Sequence, residues 1–282
     1  MNLGKYRLDL SSPRIMAVLN TTPDSFSDGG QLYGNGGCLD LSLVLKRVET
    51  LLAEGADIID VGGESTRPDS VSITVDEELD RVVPIIEGIT AHFDVPVSVD
   101  TSTPRVIQEA AGAGAAMIND VRALQRPGAL AVAVSTGLPV CLMHMAGEPE
   151  TMQQDPHYED VVKEVGEFLL ARTEVCEQAG IARHNIILDP GFGFGKTLEH
   201  NLILFRALPE LGSLGFPLLV GVSRKAMVGT ILDKPVDQRM VGSVVLAMLA
   251  AQRGAGVLRV HDVAATVDAL KIMNAVEVRE NG

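Results

Sequence analysis

The sequence predicts an α/β protein, a single (β/α)8 barrel over residues 1–282, and three observations carry that prediction. Eight short apolar runs recur along the chain. Between them lie segments with the 3.6-residue apolar period of helices packed on one side. Each run ends in or just before polar residues, and the C-terminal ends of the strands are where a barrel keeps its active site.

The runs cover residues 15–19, 58–61, 95–99, 117–118, 140–143, 186–188, 218–222 and 257–260. They lack clean alternation, as parallel strands covered on both faces do. The first helix places Leu41, Val44, Leu45, Val48, Leu51 and Leu52 on one face and stops before Gly55. The second opens with the capping-box pattern Thr74-Val75-Asp76-Glu77 and continues through Leu79, Val82, Val83 and Ile86, with a kink expected at Pro84. Later helices are predicted over residues 104–113, 127–135, 158–179, 198–208, 239–253 and 263–276. Eight strands alternating with eight helices make a TIM barrel with right-handed crossovers, whereas an open doubly wound sheet needs no such regularity. No composition shift marks a linker, so one domain is expected.

Composition limits the function. The formal net charge of -14 repels nucleic acid and anionic membrane surfaces, so neither is an expected partner. The cysteines, Cys38, Cys141 and Cys176, are odd in number and far apart, which supports neither a disulfide framework nor a metal knuckle. The first ten residues lack the apolar core of a secretory signal, and the longest apolar run, residues 243–251, is too short to cross a bilayer. These features point to a soluble, cytoplasmic protein.

Read in order, the strand ends carry Asn20; Asp60 with Gly62, Gly63 and Glu64; Asp100; Asn119 and Asp120; His144; Asp189; Ser223, Arg224 and Lys225; then Arg259 and His261. One isolated Asp or Asn is usually a cap or turn residue. Caps do not require Arg259 and His261 after the eighth strand, or Lys225 after the seventh. Barrels commonly hold phosphate there, so these three form a candidate anion site. Asp100, Asn119 and Asp189 are acceptors suited to the donor-rich edge of a flat heterocycle. No pair has a transition-metal spacing, although magnesium arriving on phosphates needs only one or two protein oxygens.

Residues 190–197, PGFGFGKT, come one letter from the phosphate-loop pattern. Pro190 lacks the N–H that the first glycine supplies, so the match is read as accidental. The stretch is expected to be the active-site loop after the sixth strand, with Lys196 solvated or capping.

In this setting the chain resembles the dihydropteroate synthases. The matching stretches are residues 20–30 (NTTPDSFSDGG), 59–68 (IDVGGESTRP), 98–102 (SVDTS), 119–122 (NDVR), 142–145 (LMHM), 188–196 (LDPGFGFGK), 220–225 (VGVSRK) and 259–262 (RVHD). The resemblance implies a transferase of folate biosynthesis. It condenses 6-hydroxymethyl-7,8-dihydropterin diphosphate with p-aminobenzoate to give 7,8-dihydropteroate and pyrophosphate. It implies a pterin site of Asp100, Asn119, Met143, Asp189, Gly221 and Lys225. The diphosphate would meet Asn20, Arg67, Arg259 and His261, with Asn20 helping to hold Mg2+. The p-aminobenzoate pocket would be Phe26, Thr66, Pro68, Phe194, Lys225 and Ser223, and sulfonamides would compete there. Asp28, Lys225 and Arg259 are the candidate catalytic residues, Asp28 stabilising a cation or accepting the aniline proton. A cytoplasmic homodimer with both mouths open completes the implied picture.

Asp69 and the run Gly34-Asn35-Gly36-Gly37 depart from the family pattern at the mouth. His144 is read as a packed histidine with no proton-transfer role. A pterin-dependent methyltransferase domain shares this barrel but needs no diphosphate site. A non-catalytic pterin-binding barrel needs none of the retained Asn20, Lys225 or Arg259.

Overall fold

The computed structural model describes residues 1–22, 39–65, 73–147 and 151–277. A two-stranded hairpin, β1 (Asn2–Leu3) and β2 (Tyr6–Arg7), comes first. The barrel strands follow: β3 (Arg14–Asn20), β4 (Ile58–Gly62), β5 (Val97–Asp100), β6 (Met117–Asp120), β7 (Val140–Met143), β8 (Ile186–Asp189), β9 (Leu218–Val220) and β10 (Ala255–Val260). They form a closed barrel in which each strand lies parallel to its sequence neighbours and β10 pairs with β3.

Each barrel strand is followed by helix. Leu41–Glu54 forms α1, with Asp40 accepting from the backbone N–H groups of Ser42 and Leu43 and Gly55 ending it in the left-handed region at φ 105°. The Thr74–Glu77 capping box starts α2 (Val75–His92), and Pro84 lies inside a helix that runs on past it. Val82, Ile85, Ile86 and Ile89 are buried on both sides of the proline, and this packing outweighs one lost hydrogen bond. Next come α3 (Pro104–Gly112), α4 (Ala129–Thr136) and α5 (Val161–Ala179).

After β8 the expected single helix is two, α6 (Leu198–Arg206) and α7 (Leu208–Gly212), which part at Ala207 just before Pro209. An additional helix, α8 (Ala226–Leu232), follows β9 before α9 (Met240–Gln252), and α10 (Val263–Glu277) follows β10. No helix among the described residues is long and apolar enough to cross a membrane.

The hairpin was not read from the sequence, and it closes the far end of the barrel. Leu3 is fully buried and Leu8 nearly so, against Met16, Ile58, Met117, Ile187, Leu219 and Val257 from the early part of the strands. Polar chemistry is thereby confined to the other end. Leu3→Ala should lower unfolding free energy by about 2–5 kcal/mol. Urea denaturation is the measurement, and both substrate KM values should stay unchanged because the cavity lies at the opposite end.

Candidate active site

The C-terminal ends of the strands surround a cavity of about 610 Å3 lined by Asn20, Asp100, Phe194, Ser223, Lys225, Arg259 and His261, among others. Its chemistry starts from a buried carboxylate. Asp60 interrupts the apolar run of β4 and is fully buried. Its Oδ2 accepts from Arg259 Nε at 2.6 Å and from Asn119 Nδ2 at 3.2 Å. Arg259 Nη2 also donates to Asp100 Oδ2 at 2.7 Å. One guanidinium therefore links β10 to β4 and β5. Because the Asn119 amide donates to Asp60, its carbonyl oxygen remains to accept from a ligand.

Burial pushes the Asp100 carboxyl up to about 7, against the pull of Arg259. Burial also raises Asp189, whose opposing influences are Lys225 and the Gly191 N–H that donates to its carboxylate at 2.7 Å. Lys225 is lowered to about 8 by burial, and its Nζ donates to Phe192 O at 2.5 Å while lying 4.6 Å from the Phe194 ring centroid. Burial works against the charge of Arg259, but Asp60 and Asp100 hold its pKa above the usual value.

The loops after β9 and β10 are tied together. His261 donates its backbone N–H to Ser223 Oγ at 3.2 Å and sets Nδ1 3.0 Å from the same oxygen. Arg224, at φ 57°, makes two hydrogen bonds to Asp262, at 3.0 and 2.5 Å. It therefore fixes the frame while Lys225, its neighbour, serves the cavity.

Lys196 is not solvated. It is 3% exposed, and its Nζ lies 2.9 Å from Gly191 O, 3.1 Å from Phe194 O and 2.9 Å from His144 Nδ1. Gly191, Gly193 and Gly195 all have positive φ, which makes this reversing loop possible. A side chain at Gly191 would meet His144 O at 1.8 Å. The lysine thus binds its own loop rather than a phosphate, and Thr197 caps α6. His144 is packed as expected, edge-on to Phe168 at 4.9 Å, and burial with the Lys196 charge lowers its pKa to about 3.

The structure brings Asn20, Asp100, Phe194, Ser223, Lys225, Arg259 and His261 onto one cavity. Asn119 and Asp189 lie just beneath it, nearly buried, and Gly221 packs beside Arg259 and Lys225. Met143 faces a separate cavity of about 190 Å3 with Val121, Arg122 and Met145. Phe26, Asp28, Thr66, Arg67 and Pro68, with Asp69 and residues 34–37, lie outside the described residues. Sequence reasoning named Asp60 at a strand end but gave it no role, although a charge inside an otherwise apolar strand was a usable signal.

Among the described residues no cluster of three or more His, Cys, Asp or Glu side chains is placed to hold a metal. The Asn20 amide oxygen and Asp100 Oδ2 stand 3.7 and 3.6 Å from the point a Gly62 Cβ would occupy. The missing side chain leaves these two oxygens facing one space. Such a sparse oxygen set fits magnesium only when phosphates and water complete its shell.

A protein-family profile described as "Pterin binding enzyme" matches residues 16–261. The dihydropteroate synthase of Haemophilus influenzae is 54% identical, over 95% of each chain. Among solved structures, Yersinia pestis dihydropteroate synthase with a sulfonamide drug complex superimposes with a TM-score of 0.93 at 51% identity, over 98% of this chain and 99% of that one. The Xanthomonas albilineans enzyme in complex with 7,8-dihydropteroate gives a TM-score of 0.85 at 46% identity, over 96% of each chain. With this barrel and these identities along almost the whole sequence, the chain belongs to the dihydropteroate synthase family.

Proposed function

We propose that the deep part of the cavity holds the dihydropterin, that the diphosphate lies toward Lys225, Arg259 and His261, and that p-aminobenzoate enters beside Phe194 and Ser223. The observation that carries this reading is one cavity at which Asp100 meets the cations Lys225 and Arg259, with the buried acceptors Asn119 and Asp189 close by. The Asn119 carbonyl oxygen, Asp100 and Asp189 suit the N–H edge of a pterin. Lys225 and Arg259, with His261 beside them, give a multiply charged diphosphate leaving group local positive charge within a chain of net charge -14. The substrate pair is supported by relatives: the Xanthomonas albilineans enzyme was solved with 4-aminobenzoic acid as well as with 7,8-dihydropteroate.

As a transferase of this family the enzyme joins the amine nitrogen of p-aminobenzoate to the pterin methylene carbon. The carbon–oxygen bond to diphosphate breaks, its electron pair leaves with pyrophosphate, and the aniline nitrogen loses a proton. Bond breaking runs ahead of attack, because the electron-rich dihydropterin stabilises positive charge on the methylene. Arg259 and Lys225 stabilise the departing charge. Asp28, Arg67, Phe26, Thr66 and Pro68 complete the site from the first two loops, with Asp28 receiving the proton or facing the cation. Asn20 would hold Mg2+ through its amide oxygen, and the metal, when bound, would supply further positive charge for the diphosphate. A methyltransferase has no use for the cationic side of this cavity, and sulfonamides are expected to occupy the p-aminobenzoate position.

Exposed apolar side chains support a homodimer: Ile231 on α8, Met240, Val241 and Val245 on α9, and Ile272 and Val276 on α10. The three helices pack in sequence along one side of the barrel, and Ala226, Met227 and Thr230 of α8 also line the cavity. Cys141 and Cys176 are free thiols, consistent with a reducing cytoplasm.

The decisive assay supplies dihydropterin diphosphate and p-aminobenzoate with and without Mg2+ and follows pyrophosphate. Product should require the metal, and Arg259→Ala should lower kcat/KM by at least about 100-fold. Wild-type activity in that variant sinks the anion site. Lys225 is a cation only below its lowered pKa, so kcat/KM for the diphosphate substrate should fall as pH rises through about 8. Lys225→Arg should lose that inflection, since arginine stays charged. In sedimentation, Val241→Glu should shift the wild-type dimer toward monomer.

A further inference from the structure

We propose that Lys196 is a positioning residue whose hydrogen bonds set the β8–α6 loop so that Phe194 and Lys225 meet the substrates. This rests on the p-aminobenzoate placement at Phe194 given above. Lys196 has no part in the chemistry just described, yet it is buried almost completely. A buried ammonium is costly unless its donors are all used. It has three hydrogens; Gly191 O, Phe194 O and His144 Nδ1 are its short partners, and His144 O makes a longer contact at 3.5 Å. All three partners are neutral; Asp189 and Lys225 are the charged groups acting on the lysine from outside this cage. Loss of one proton would not open the cage. The amine still donates to both carbonyls, and its lone pair accepts from His144 Nδ1 in the other tautomer.

The loop needs such a tie. Three glycines at positive φ carry little conformational preference of their own. Lys196 pins the carbonyls of Gly191 and Phe194 from beneath. Asn201 holds the Gly193 N–H at 2.8 Å and donates to Lys196 O at 3.2 Å, and Tyr158 donates to Gly195 O at 2.9 Å. With the inner side fixed, the outer side presents Phe192 O to Lys225 Nζ and the Phe194 ring beneath the same ammonium. Lys196 therefore acts on the cavity through two neighbours.

Lys196→Met keeps the length and removes the donors. In folded enzyme, judged by its melting midpoint and counted active sites, KM for p-aminobenzoate should rise about 10-fold or more, with a smaller fall in kcat. On a Phe194→Ala background the same substitution should change that KM by less than about 2-fold, because residues acting as a unit are not additive. Wild-type constants in Lys196→Met, or full additivity with Phe194→Ala, overturn the proposal. Phe194→Ala alone separates the two readings. An unchanged KM there removes the p-aminobenzoate placement and leaves the Lys196 effect to be read in the diphosphate-substrate KM, through Lys225. Should Lys196→Met not fold, His144→Leu removes one acceptor and should raise the same KM by a smaller factor. Wild-type constants in that variant also overturn the proposal.

Discussion

Charge buried at the mouth of the barrel has to be balanced within it, and Arg259 does most of the balancing. Its guanidinium reaches across from β10 to Asp60 on β4 and Asp100 on β5. Without it two carboxylates would share one poorly solvated space, an arrangement that drives one of them to take up a proton. With it, Asp60 can orient the Asn119 amide, and three strands that are not all sequence neighbours are held to one geometry. The polar end of the barrel is thus specified by a few charge-assisted contacts rather than by shape alone.

The same residue has two obligations. It neutralises carboxylates in the ligand-free cavity, and in the proposed reaction it also faces a leaving group. A bound diphosphate would add negative charge beside a cation that already has two acidic partners. Lys225, which among the described residues donates to a backbone carbonyl and lies over an aromatic ring, with Asp189 acting on it electrostatically, is the more available cation. The two bases therefore divide the work between a fixed charge and a titratable one.

Much of this was legible in the sequence. The eight strands were visible because buried parallel strands are simple apolar runs, and Thr74–Glu77 and Gly55 announced helix ends through local backbone chemistry. The grouping of Lys225, Arg259 and His261 was visible because helix caps and turns alone do not call for such side chains at the ends of barrel strands. Other features depend on contacts distant in sequence. The hairpin at residues 2–7 is too short to show periodicity, and only Leu3 and Leu8 meeting the strand bases give it meaning. Lys196 looked like a surface residue because nothing in PGFGFGKT says that its carbonyls turn inward. Asp60 could have been found, as a charge within an apolar strand, but its partner lies 199 residues away.

The plug formed by the N-terminal hairpin has a kinetic meaning as well. With Leu3 and Leu8 packed over one end and the cavity at the other, reactants and products share the C-terminal side of the barrel. Whatever binds deepest enters first, and the molecule bound nearer the rim obstructs its escape. A pterin seated among Asp100, Asn119 and Asp189 would be trapped behind p-aminobenzoate during the reaction, and the turnover cycle acquires an order of traffic from architecture alone.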